Sequence, residues 1–180
     1  VLFVASSGFA DDGIRISADF EGGSAKVISV DQELATISIQ PATLPERGWP
    51  CWWFVRLDGL TIGQEITLNV SASTDAYRDN LVLPANWCLP DQASISSDES
   101  DRTRWQQTDV CLRQDNAASY QFTATSNTMW AAWSVPFLQS DAEVLLEKVA
   151  QKLPATERFE LARTRAGRPV NGIRVGTANS

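Results

Sequence analysis

The sequence predicts a mainly β fold: an antiparallel β-sandwich followed by one capped α-helix and a short terminal β-hairpin. Three observations carry that prediction. Short stretches of alternating apolar and polar residues, separated by polar turns, dominate up to about Ser134. Helix signals are scarce over the same span, and many short strands with polar turns build a sandwich or barrel rather than a bundle. After Pro136 the period changes from two to that of a helix.

In chain order, residues 14–18, 26–30 and 35–39 read as strands divided by Gly-Gly and Asp-Gln-Glu turns. The aromatic stretch Trp52-Trp53-Phe54-Val55-Arg56-Leu57 follows and ends at the Asp58-Gly59 turn, and Gly63 opens a strand over 65–70. Further strands are expected over 80–83, 104–108, 120–125 and 129–134. Ser140-Asp141-Ala142-Glu143 has the form of a capping box, in which the Ser hydroxyl accepts from a first-turn amide while the Glu reaches back. Ala142, Leu145, Leu146, Val149 and Leu153 then recur at helical spacing, Lys148 and Lys152 sit where cations favour the dipole, and Pro154 stops the helix. Residues 159–163 and 170–175 read as two strands around an Ala166-Gly167 turn.

Composition narrows the chemistry. The 180 residues include no histidine, which removes the default general base near neutral pH and the commonest metal ligand. Ser-His-Asp and Cys-His nucleophile systems and histidine-based zinc motifs are therefore excluded from this chain. A net charge of −7 argues against nucleic acid, whose phosphates need clustered Lys and Arg, and against an anionic membrane surface. An apolar share of 43% supplies a real core, and seven tryptophans are many for this length.

Residues 1–10 read as the remnant of a secretory signal, with apolar residues up to Ala5 and the small Gly8 and Ala10 in cleavage-site style; a frayed or edge strand is the alternative. The signal reading places the mature domain in a secreted or periplasmic, oxidising setting. Three cysteines fit that setting unevenly. A bridge between Cys88 and Cys111 would close a long loop and contribute about 3 kcal/mol, leaving Cys51 as a small buried hydrophobe, with other pairings open. The stretch 94–101, Ser-Ile-Ser-Ser-Asp-Glu-Ser-Asp, reads as a solvated loop; calcium, a hard cation that favours such oxygens, is the sharper alternative.

Several landmarks then occur in order: Asp19-Phe20-Glu21-Gly22-Gly23, the aromatic strand ending in Arg56-Leu57, Ile66-Thr67-Leu68-Asn69-Val70, and Met129-Trp130-Ala131-Ala132-Trp133-Ser134-Val135-Pro136-Phe137. The capped helix and Thr164-Arg165-Ala166-Gly167-Arg168-Pro169-Val170 complete the series. Over about 16–175 this resembles the β-sandwich domain that precedes the catalytic domain in the cytosolic-carboxypeptidase-like branch of zinc metallocarboxypeptidases. The family opens its sandwich on an aspartate-phenylalanine-glutamate-serine-glycine-asparagine stretch and closes it on alanine-tyrosine-x-x-proline-tyrosine. Here Gly22, and Gly23 or Ser24, replace the serine and asparagine; Phe137 replaces the last tyrosine, and Trp133 stands for the earlier one.

The resemblance implies residues 11–138 as a β-sandwich accessory domain, and 139–180 as a linker helix and the first strands of an α/β catalytic domain that the chain stops short of. The zinc motif, the substrate-binding arginines and the catalytic glutamate would all come later, so no catalytic or metal residue is carried over and this chain is expected not to be an enzyme. Zinc belongs to the parent peptidase alone. The implied partner is the chain's own downstream catalytic domain, met through Trp130, Trp133, Pro136, Phe137 and Arg168. The rival reading is a carbohydrate-binding module, with a glycan or peptide ligand on Trp49, Trp87 and Trp105, which sit nearer loops.

Overall fold

The computed structural model describes residues 13–43, 49–78, 80–153 and 155–176, and the fold divides into two units, Val1–Pro136 and Phe137–Ser180. The first unit runs β1 (Arg15–Ser17), β2 (Lys26–Asp31), β3 (Thr36–Gln40), β4 (Phe54–Asp58), β5 (Glu65–Ser71), β6 (Ala76–Arg78), β7 (Leu81–Val82) and β8 (Ser94–Ser96). It continues through β9 (Gln106–Gln107), β10 (Leu112–Gln114), β11 (Ala117–Thr123) and β12 (Thr128–Ala132). The second holds α1 (Gln139–Lys152), β13 (Thr156–Arg163) and β14 (Pro169–Val175). The signal remnant read over 1–10 and the helix stop read at Pro154 lie outside the described residues.

Two five-stranded sheets make the sandwich, one ordered β1-β4-β12-β8-β9 and the other β10-β11-β5-β3-β2. Pairing is antiparallel except between β3 and β5, where Ile37 lies beside Leu68 and Ile39 beside Val70. Alternation decides which residues face inward. Ile37 and Ile39 of β3, Ile66, Leu68 and Val70 of β5, and Tyr120 and Phe122 of β11 are buried against Val55, Leu57, Met129 and Ala131 of the opposite sheet. Trp53, fully buried just before β4, lies 5.6 Å from Tyr120 between ring centroids and donates its indole N–H to the Cys88 carbonyl. At the turn after β4, Gly59 has φ +77°, and a Cβ there would fall 2.4 Å from the Gly13 carbonyl oxygen, so glycine is required twice over.

Three expectations need correction. The stretch 94–101 is not a loop throughout, because its first three residues form β8, paired with β12 and β9. Ser94 and Ser96 are buried there, their hydroxyls satisfied by Gln107 Nε2 at 3.1 Å and by the Asp98 carbonyl at 2.7 Å. The strand expected over 104–108 is a 3₁₀ turn at Arg102–Arg104 followed by the two-residue β9, with Asp101 capping the turn by accepting from Thr103 N. The helix begins earlier than the Ser140 box implies. Leu138 is its N-cap residue, and Asp141 Oδ2 accepts from the Leu138 amide at 2.7 Å. Glu143 is drawn instead to the hairpin, where it accepts from Arg158 and Asn171, each at 2.6 Å.

In the second unit β13 and β14 pair through a turn at Gly167, with a register shift between Glu160 and Ala162. Among the described residues of this unit none is fully buried. Of the helical stripe, Leu145 and Leu153 are exposed, and Ala142, Leu146 and Val149 are half-buried. Among the described residues no helix is long and apolar enough to cross a membrane.

Candidate functional site

The outer face of the first sheet carries the densest unusual chemistry of the molecule. Because Val55 and Leu57 point inward, Phe54 and Arg56 point outward, where they meet Ala132 and Trp130 of β12 in register. Phe54 is nonetheless fully buried. Three rings from separate segments cover it: Phe20 at 4.8 Å, Trp105 at 5.8 Å and Trp52 at 6.2 Å between centroids. The Phe20 segment is fixed by a tight turn, Gly23 N donating to the Phe20 carbonyl at 3.0 Å, and by Trp52 Nε1 donating to the Gly22 carbonyl at 2.8 Å. Gly23 has no room for a side chain, since a Cβ would lie 2.3 Å from the Ala18 carbonyl oxygen.

Beside this aromatic cap, Arg56 donates from Nε and Nη2 to Asp58 Oδ1 at 3.1 and 2.8 Å, and Thr128 Oγ1 donates to the same oxygen at 2.7 Å. The guanidinium lies 5.8 Å from the Trp130 ring centroid, a cation–π arrangement. Trp130 is half-buried, and its indole N–H is buried without an acceptor among the described residues. An unanswered buried donor is costly, so the Trp130 indole is a weak point on β12, the central strand of this sheet.

The other interface candidates differ in setting. Trp133 is half-buried, packs against the main core and donates its indole N–H to the Trp87 carbonyl at 3.0 Å. Pro136 is buried, and its carbonyl accepts from Arg102 Nη2. Phe137 is 60% exposed. Arg168 is exposed in the hairpin turn, where its amide donates to Thr164 Oγ1 at 3.1 Å and its carbonyl accepts from the Thr164 amide.

The tryptophans proposed as a glycan platform do not lie in one plane. Trp49 and Trp87 meet edge to face at 4.7 Å and 82°, with Tyr77 edge-on to Trp49, while Trp105 is taken up in the cap over Phe54. A sugar ring needs a flat aromatic face, and an edge-to-face pair does not present a shared one.

All three cysteines are free, so the expected Cys88–Cys111 bridge is not formed. The thiols turn to separate acceptors, Cys88 to the Ala85 carbonyl at 3.2 Å and Cys111 to the Pro90 carbonyl at 3.6 Å. Burial pushes the Cys51 and Cys88 thiols above their ordinary value.

The carboxylates of the acidic stretch are turned onto their own backbone rather than toward a shared centre. Asp98 accepts from Ser100 and Asp101 from Thr103, through both hydroxyl and amide, and these bonds hold both carboxyls below the ordinary range. Among the described residues no group of three or more Cys, Asp or Glu could hold a metal ion, so the residues present do not fit zinc or calcium. An open cleft of about 520 Å³ beside β8 is lined by hydroxyls, Ser96, Ser97, Thr103, Thr123 and Thr125, and by Arg104, which pairs with Asp101 at 3.4 Å. No carboxylate or thiol lines it, so it offers these hydroxyls no general base.

Residues 16–133 match the family model described as the cytosolic carboxypeptidase N-terminal domain. The chain belongs to that family. Among solved structures, this carboxypeptidase N-terminal domain is similar to a metallo-carboxypeptidase from Burkholderia cenocepacia, at 22% identity and a TM-score of 0.73 over 93% of this chain and 40% of that one. It is also similar to a metallo-carboxypeptidase from Pseudomonas aeruginosa in complex with (2-guanidinoethylmercapto)succinic acid, at 18% identity and a TM-score of 0.66 over 89% of this chain and 40% of that one. The chain thus spans about 40% of the structures it matches, and at these identities the likeness is one of fold. A search of curated proteins returned no match.

Within the N-terminal domain the family stretch Asp19-Phe20-Glu21-Gly22-Gly23 acquires a structural meaning: it carries the ring that seals Phe54. Sequence reasoning treated Phe20 and Trp105 as unrelated to β4. A signal was present, because Trp52, Phe54 and Arg56 share one parity and Trp53, Val55 and Leu57 the other, so the aromatic stretch has two apolar faces at its start.

Proposed function

We propose that this chain is the non-catalytic accessory part of a longer zinc carboxypeptidase-like protein, seated on the catalytic domain and fixing its orientation. The observation that carries the reading is the second unit. Its helix and hairpin bury no residue fully among those described, yet Phe137, Val144, Leu145, Leu161, Val170 and Val175 are exposed. A helix on a two-stranded hairpin with its apolar side chains in water is not a self-sufficient fold, so it calls for further strands from the same polypeptide.

On this reading zinc and the chemistry of peptide-bond cleavage reside wholly in the downstream domain, and this chain supplies packing surface. We extend the proposal to a secreted or periplasmic location, on the strength of the signal-like residues 1–10.

The test is the reading frame beyond Ser180 together with an assay of its product. A His-x-x-Glu motif within a few dozen codons, and zinc-dependent release of a carboxy-terminal residue from a blocked dipeptide by the longer protein but not by the 180-residue chain, are expected. A stop codon directly after Ser180, or turnover by the 180-residue chain with zinc, would overturn the proposal.

A further inference from the structure

Two segments far apart in sequence are clamped together at both ends of a cysteine-bearing turn. Trp49 meets Trp87 edge to face at 4.7 Å. Four residues on, Trp53 donates its indole N–H to the Cys88 carbonyl at 3.0 Å. Cys51 lies midway between the two contacts, in a tight turn closed by its own amide donating to the Trp49 carbonyl at 2.8 Å. Cys88 is the residue directly after Trp87 and the one that takes the Trp53 bond. The clamp is itself anchored, because Trp133 holds the Trp87 carbonyl at 3.0 Å. Cys111 stands apart from it, its amide on the Asp91 carbonyl at 2.8 Å and its thiol on the Pro90 carbonyl.

We infer that Cys51 and Cys88 are a redox-active pair that closes to a disulfide across this tryptophan clamp, leaving Cys111 as the free thiol. The two partners are unequal in a way that orders the steps. Cys51 is half-buried and reachable from solvent, whereas Cys88 is 1% exposed. With a low-molecular-weight disulfide such as oxidised glutathione as oxidant, the Cys51 thiolate attacks one sulfur, forming a mixed disulfide and expelling one glutathione thiolate. The Cys88 thiolate then attacks the Cys51 sulfur, forming the protein disulfide and expelling the second glutathione. Two protein thiols are oxidised, one small disulfide is reduced to two thiols, and the two thiol protons pass to the expelled thiolates. Burial is the main cause that raises the Cys88 thiol, and the charge of Cys51 adds to it.

Because burial holds both thiols above their ordinary value, closure is slow at neutral pH and speeds up roughly tenfold per pH unit on the alkaline side. The pairing concerns the sandwich alone and stands or falls independently of the proposed peptidase role. It would act as a staple on the entry to β4, stiffening the turn that carries Trp49.

Trypsin separates the three cysteines, since Arg47, Arg56, Arg78, Arg102 and Arg113 divide them among different peptides. The 180-residue chain is incubated with oxidised glutathione, its remaining thiols are alkylated, and the unreduced digest is read by mass spectrometry. The expected result is a fall from three alkylated cysteines to one, at Cys111, with a crosslinked peptide joining Cys51 to Cys88. The variant Cys111→Ser should close the same bridge, and Cys51→Ser should leave Cys88 alkylatable. A Cys88–Cys111 crosslink, a glutathione adduct on Cys51 that never resolves, a disulfide between two copies of the chain, or three alkylated thiols would each overturn the inference.

Discussion

The rings of Phe20 and Phe54 meet edge to face, with centroids 4.8 Å apart and planes at 88°. This contact joins the loop after β1 to the outer face of β4, and it gives the sandwich a second apolar cluster outside the space between the sheets. Removing the ring in Phe20→Ala is expected to cost about 1–3 kcal/mol, less than a full core deletion because Phe20 is half-buried. Gly23→Ala, which drives a Cβ into the Ala18 carbonyl, is expected to cost a similar ~1–3 kcal/mol. Urea denaturation followed by tryptophan fluorescence measures both; a loss under about 0.5 kcal/mol in each would mean that the loop is not pinned.

Tyr120 gives a pH signature. Burial in the core, the largest cause, and the thiols of Cys111 and Cys88 hold its phenol well above the ordinary 10.0. The fold favours the protonated phenol, so this contribution to stability is full below the unfolded value near 10.0 and is lost as pH rises above it. Tyr120→Phe loses the 2.7 Å bond to the Pro90 carbonyl, costing about 1 kcal/mol at neutral pH. That gap between the two proteins should narrow as pH is raised toward about 11, because only the tyrosine form then has a proton to lose. A gap that stays constant would contradict the assignment.

Trp130→Phe sets two opposed effects against each other. Here the change removes a buried indole N–H that has no acceptor among the described residues, together with a cation–π contact to Arg56 worth roughly 0.5–1 kcal/mol. The two effects oppose, so stability in the 180-residue chain should move by no more than about 1 kcal/mol. A change above about 2 kcal/mol in either direction would contradict this balance.

Glu143 ties α1 to both hairpin strands, through Arg158 of β13 and Asn171 of β14. The ion pair is substantially solvated, so it contributes little alone. Glu143→Ala is expected to loosen the helix by about 1 kcal/mol, read as lost helical signal in circular dichroism. An unchanged signal would show that the helix does not depend on the hairpin.

Much of the sandwich was legible because alternation is a strong signal wherever one face is fully apolar. Ile66, Leu68 and Val70 declare β5, and Ile37 and Ile39 declare β3, from sequence alone. Ser94-Ile95-Ser96 carries no such signal, because its buried side chains are hydroxyls whose partners, Gln107 and Asp98, become visible only once the strands pair. The helix start misled for a local reason: Glu143 suits a cap, yet it is engaged by Arg158 and Asn171, residues that only folding brings near. Of the candidate interface, Trp130 and Trp133 were legible as aromatic residues of an end-strand. The cap over Phe54 was not, because Phe20, Trp52 and Trp105 converge from three separate segments.

On the proposed reading, the helix and hairpin of the second unit are completed by polypeptide beyond this chain. Hydrogen–deuterium exchange, comparing the 180-residue chain with the longer parent protein, tests it most directly. In the 180-residue chain, amides of Thr156–Arg163 and of residues 170–175 should exchange orders of magnitude faster than those of Glu65–Ser71, and in the parent they should reach comparable protection. Protection of the hairpin in the 180-residue chain equal to that of β5 would contradict the account.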